Sequence, residues 1–132
     1  MRMKPALTLE DAIKMAAASK AAGAKIKREP TIAVVDASGH LLYLERPDRN
    51  GVNTVELATL KARTAAVRGR PSAAFAARVQ EKAGFLMMPD LIGVEGGIPI
   101  HHDKECIGAI AVSGIDQDDE PVAKAGAAAF GS

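Results

Sequence analysis

Tryptophan is absent from this 132-residue chain, tyrosine occurs once and phenylalanine three times. So few rings leave no stacking platform of the kind that grips single-stranded nucleic acid. Charge of one sign is lacking as well: 17 Lys and Arg stand against 16 Asp and Glu, a formal net charge of +1. No dense Lys/Arg block interrupts that balance, so nothing points to a nucleic-acid partner. Cysteine occurs once, at Cys106. A lone cysteine excludes an internal disulfide and suits a reducing compartment. Long apolar runs are missing too. No window approaches the roughly 18 apolar residues of a membrane span, and the N-terminal MRMKPALTLEDAIK turns charged before any run of signal-peptide length. The expectation is a cytoplasmic protein with no membrane partner.

What is present is ordinary for a globular protein: 48% hydrophobic and 25% charged residues. The length suits one domain over residues 1–132, able to bury a core without disulfides or metal. Thr8-Leu9-Glu10-Asp11 has the form of a helix start, a threonine cap with a carboxylate three residues on. The apolar stripe Leu9, Ala12, Ile13, Ala16, Ala17 then predicts a helix to about Ala22, ending near Gly23. A hairpin follows, Thr31–Asp36 and His40–Glu45 around Ala37-Ser38-Gly39. Asn53, with Glu56 at the capping-box position, predicts a helix over 54–68. Ser72 caps a further helix to about Lys82. Leu91–Val94, Ile98–His102 and Cys106–Ser113 read as three more strands, and Asp118 or Asp119 caps a last helix to Phe130. Short turns between adjacent strands make antiparallel pairs, which helices then cover in an α+β or three-layer domain.

The polar run His101-His102-Asp103-Lys104-Glu105-Cys106 invites a metal reading. Between two strands it becomes a hairpin tip, where neighbouring side chains point to opposite faces and do not converge on one ion. Two adjacent histidines and one cysteine also lack zinc-ligand spacing. No metal is expected there, and Cys106 reads as a small buried hydrophobe.

Six segments in order are distinctive: AVVDASGHLLYLERPD (33–48), ELATLKARTAA (56–66), GRPSAAF (69–75), EGGIPI (95–100), ECIGAIAVSG (105–114) and QDDEPVAKAG (117–126). Together they resemble the GlcG/HbpS-like family, the haem-degrading domain family related to the PduO C-terminal domain. The resemblance implies a profilin-like three-layer α/β/α domain on a five-stranded antiparallel sheet. It also implies a homo-oligomer and a small-molecule ligand. Members of the family bind haem or stand beside corrinoid enzymes; others belong to catabolism, and some relatives act on small aromatic or organic acids. No haem histidine can be matched to a position here. His40 serves to close the first hairpin, and Tyr43, the one candidate tyrosinate, sits where a strand residue packs.

Within these segments, Arg46 offers either a bidentate fork to a carboxylate or a surface salt bridge to Glu45 or Asp48. Asp48 reads as a turn residue. Lys61 shares a helical face with Leu57, Thr64 and Arg68, and is either a carboxylate anchor, a base, or a snorkelling surface lysine. Glu56 is a capping partner or a second proton-transfer group. Gly96-Gly97 permits close backbone approach or an anion nest. Met87 and Met88 suit an apolar pocket wall or an interface. The reading that gathers these is a protein binding a small organic or aromatic acid near a subunit interface. Arg46, Lys61, Gly96, Gly97, Met87 and Met88 form its pocket. The alternatives are a cofactor-independent lyase or isomerase using Lys61 and Glu56, and a haem or corrinoid handling protein.

Overall fold

The structure is a computed structural model and describes residues 1–131. Helix α1 (Leu9–Lys25) starts as expected: the Thr8 hydroxyl accepts the Asp11 amide, and the Asp11 carboxylate accepts the Thr8 amide. It does not stop at Gly23. That glycine is buried within the last turn, where a Cβ would stand 2.8 Å from both the Arg28 carbonyl oxygen and the Pro30 ring. It lets the returning chain lie against the helix.

Strands β1 (Thr31–Asp36) and β2 (Leu41–Glu45) form the expected antiparallel hairpin. The Asp36 carboxylate accepts the amides of Ser38 and His40, and the Asp36 amide returns to the His40 carbonyl. Strands β3 (Gly97–His102) and β4 (Glu105–Ser113) form a second hairpin, turned by Asp103 and Lys104 at φ of 50° and 68°. β4 also pairs antiparallel with β1, giving the order β2-β1-β4-β3.

The sheet therefore has four strands, where five were expected. Leu91–Val94 joins no ladder, and side chains of the neighbouring helical segments take two of its backbone polar groups. The Ile92 amide donates to the Thr64 hydroxyl at 2.9 Å, and the Val94 carbonyl accepts the Ser72 hydroxyl at 2.6 Å. An apolar β-branched segment satisfied from the side has no need of a strand partner.

Helix α2 (Asn53–Arg68) covers one face of the sheet, setting Ala58, Ala62, Ala65 and Ala66 on Ala33, Val35, Ala109 and Ala111. Small side chains on both sides bring helix and sheet close together. The opposite face is larger in side chain: Ile32, Val34, Ile110 and Val112 meet Met15 and Ala16 of α1 and Val122 and Ala123 of α4 (Asp119–Ala128). The result is an α+β, three-layer arrangement built on the period-2 alternation of each strand. Helix α3 (Ala73–Glu81) and a 3-10 turn over Ala83–Met87 lie after α2, and a second 3-10 turn over Asp116–Asp118 precedes α4.

The expected caps at the later helices are not made. Val52, not Asn53, occupies the α2 cap position, with no side-chain bond, so the Asn53–Glu56 capping box does not form. Ser72 precedes α3 without capping it, because its hydroxyl is spent on Val94 and on the Gly97 amide. Neither Asp118 nor Asp119 makes a cap bond to α4: Asp118 pairs with Arg28, and Asp119 turns inward. At Ser72 and Asp119, both buried, a tertiary partner outcompetes a local cap that water could replace.

Candidate functional site

Lys61 lies midway along α2 and is 2% exposed, so it is no snorkelling surface lysine. Its ammonium donates to the Val112 carbonyl at 3.1 Å and to Asp119 Oδ2 at 3.0 Å. The other carboxylate oxygen of Asp119 accepts the Ile115 amide at 2.9 Å. A helix on one face of the sheet is thus tied to the start of a helix on the other, through the end of β4.

The two glycines make room for that tie. At Gly96 (φ 130°) a Cβ would stand 2.5 Å from the Val112 carbonyl oxygen and 3.0 Å from Lys61 Cδ and Nζ. At Gly97 it would stand 2.2 Å from the Lys61 carbonyl oxygen. Close approach is therefore what Gly96-Gly97 provides, and the Gly97 amide is engaged by the Ser72 hydroxyl at 2.8 Å. Four of the six distinctive sequence segments supply the contacts around Lys61: 56–66, 95–100, 105–114 and 117–126.

Lys61 and Asp119 floor an open cleft of about 570 Å³. Neutral polar residues Asn53, Thr54, Ser113 and Gln117 line it, with Leu57 and Val94 as apolar walls and Glu95 and Asp116 exposed at its rim. Glu56, exposed in the first turn of α2, is not part of this lining.

Arg46 lies elsewhere. It lines a separate cleft of about 540 Å³ with Lys20, Lys27, Arg28 and Glu45, and its Nη1 donates to the Asn50 carbonyl at 2.7 Å. The expected surface bridge from Arg46 to Glu45 is replaced by Lys20, whose ammonium sits 2.8 Å from Glu45 Oε2, while the Tyr43 hydroxyl donates to Oε1 at 2.7 Å. The bond from Lys20, then that from Tyr43, holds the Glu45 carboxyl below its usual range. The same bonds to Glu45 push Tyr43 and Lys20 up.

Met87 is 83% exposed and Met88 44%. Met88 lines a third cleft, of about 370 Å³, with Arg68, Arg70, Arg78, Phe75, Phe85 and Leu91. The residues expected to share one pocket are therefore divided: Lys61 with Gly96 and Gly97 in one place, Arg46 in a second, Met88 in a third. Sequence reasoning missed Asp119 as the partner of Lys61, because its place before an alanine-rich helix imitates a cap. The three arginines were missed because the turn at Gly69–Ser72, which brings them together, leaves no periodic signature.

The hairpin tip has the expected divergent geometry. The His102 ring meets Phe130 edge-on at 6.4 Å, on the α4 side. His101 approaches Gly69 after α2, on the other side. The Cys106 thiol, half-buried, bonds the carbonyls of Ala66 and Gly108, each at 3.3 Å. Among the described residues, no helix is long and apolar enough to cross a membrane.

Residues 7–128 match the family described as haem degrading protein HbpS-like. The chain belongs to the HbpS-like family. Protein GlcG of Escherichia coli (strain K12) is 36% identical over 114 residues, covering 86% of this chain and 85% of GlcG. The crystal structure of HbpS superposes with a TM-score of 0.94 at 33% identity, over 100% of this chain and 95% of that one. A PduOC:heme complex shares the fold, with a TM-score of 0.86 at 22% identity over 96% of each chain.

Proposed function

We propose that this HbpS-like chain is a small-molecule-binding protein whose ligand is a small polar organic acid held over Lys61. The observation that carries the reading is a buried ammonium at the floor of an open cleft whose lining mixes polar and apolar side chains. Two of the three N–H groups of Lys61 are spent on Val112 and Asp119, which leaves one to give. The first turn of α4 begins at Asp119, and the positive end of its dipole favours a second anion beside that carboxylate. The rim acids Glu95 and Asp116 are exposed, so water and salt screen their repulsion, and they can accept bonds from ligand hydroxyls. Val94, an exposed apolar wall of the cleft, supports closure by a second copy in a homo-oligomer.

Haem, named in the family description, is the rival ligand. The histidines, Tyr43 and Cys106 line none of the clefts described, and the Tyr43 hydroxyl and the Cys106 thiol are already bonded within the chain. The residues of one chain do not fit a haem pocket ligated by them. Turnover is the second reading of the Lys61 cleft, favoured by an ammonium 3.0 Å from a carboxylate, a pair able to move a proton in a lyase or isomerase.

Amide shift mapping while small hydroxy acids are added tests the site. The expected result is movement at Gly114, Asp116 and Gln117, with a light-scattering mass that is a multiple of 13.7 kDa. Shifts confined to another cleft would sink the site, and a monomer at micromolar concentration would sink the interface.

A further inference from the structure

Arg68 ends α2, Arg70 follows the Gly69 turn, and Arg78 lies on α3, so two helices and their connection bring three guanidinium groups to one cleft of about 370 Å³. The other lining residues are Phe75, Phe85, Met88 and Leu91, and no acid is among them. Arg68 stacks over the Phe75 ring at 4.9 Å, and Arg78 over Phe85 at 4.8 Å. The two rings themselves meet edge to face at 6.2 Å. Stacking fixes the planes of the guanidinium groups without using their N–H edges, of which Arg78 Nη1 donates to Glu81 Oε2.

Two features show that this cleft is not balanced within the chain. Arg68 Nη1 is enclosed and has no acceptor among the described residues. A buried guanidinium nitrogen without an acceptor is costly, and an anion would relieve it. Burial, then repulsion by Arg70 and Arg78, lowers the Arg68 pKa, which is the direction a cluster of unanswered cations imposes. Glu81 answers only Arg78, at 3.1 Å and largely in solvent.

We propose that Arg68, Arg70 and Arg78, with Phe75, Phe85 and Met88, form a second binding site, for a small aromatic carboxylate. The carboxylate takes the guanidinium edges and the ring packs on the phenylalanines and the thioether. The cleft volume lies within the range that small ligands fill. The site is independent of the Lys61 cleft, which has different lining residues and no arginine.

Benzoate is the probe, followed by ring-proton shifts and titration calorimetry. The chain's three phenylalanines serve as internal reporters: Phe75 and Phe85 should move, while Phe130, packed against the core on the α4 side, should not. Affinity of about millimolar is expected for so small a ligand. Acetate and inorganic phosphate, which lack the ring, and benzyl alcohol, which lacks the charge, should each bind about tenfold more weakly or worse. Arg70→Met/Arg78→Met should weaken benzoate by about tenfold or more. Arg70 is exposed, so Arg70→Met alone carries the test if the double variant melts early. Phosphate binding as tightly as benzoate would overturn the aromatic assignment. Benzoate that fails to bind, that ignores the substitutions, or that shifts Gly114 and Gln117 instead of the two rings would overturn the site.

Discussion

At Lys61 the decisive fact is the burial of two opposite charges with one another. Removing one member of a buried pair strands the other, which costs far more than the pair itself contributes. Lys61→Met keeps the aliphatic stem beside Gly96 and leaves Asp119 with only the Ile115 amide. A loss of about 3–5 kcal/mol is expected in urea unfolding. Lys61→Met/Asp119→Asn should recover part of it, since no uncompensated charge then remains. A single variant as stable as the natural protein would mean the pair is solvated in solution. Gly96→Ala is the companion test. At φ 130°, with the Val112 carbonyl 2.5 Å from any Cβ, it should cost on the order of 1–3 kcal/mol in backbone strain alone. Equal stability of the alanine variant would show that the passage beside Lys61 is wider than described.

At the scale of elements, the segment Leu91–Val94 is held by side chains from α2 and the start of α3. Ser72 carries one of those bonds, to the Val94 carbonyl, and also accepts the Gly97 amide at the start of β3. Ser72→Ala leaves both groups without their partner in a largely buried place, at about 1–3 kcal/mol for each. Hydrogen exchange should show the Gly97 amide losing protection first, while the β1–β4 amides keep theirs. Uniform loss across the sheet would mean that Ser72 supports the whole fold and not this connection. The same bonds explain a sequence misreading: apolar, β-branched residues between turns suggest a strand, and nothing local reveals that Thr64 and Ser72 will take the polar groups.

For the molecule as a whole, the network of Lys20, Glu45 and Tyr43 ties α1 to β2 and sets a pH dependence. The Glu45 carboxyl lies below its ordinary 4.5. Its contribution is therefore present above that value and lost as pH falls through the lower folded one. Tyr43 and Lys20 lie above their ordinary 10.0 and 10.5. Their contributions are full below those values and lost as pH rises through the higher folded ones. Glu45→Gln removes the shared charge. The difference in melting temperature between natural protein and variant should be widest between roughly pH 5 and 9 and narrow on both sides. A difference that stays constant across pH would assign the network to packing instead of charge.

The first hairpin, the Thr8 capping box, the helix over 54–68 and the divergent histidines of the second hairpin were all legible in the sequence. Each is decided by neighbours within a few residues: a turn, a cap, a periodicity, an alternation. The family was legible as well, because it rests on the order of segments along the chain. The missing fifth strand, the unmade caps at Ser72 and Asp119, and the division of the expected pocket into three clefts were not. They depend on which distant group reaches a polar atom first, across separations such as the 58 residues between Lys61 and Asp119. A carboxylate before a helix looks like a cap in sequence, and only the packed sheet, by presenting a buried ammonium, makes it the partner of a lysine.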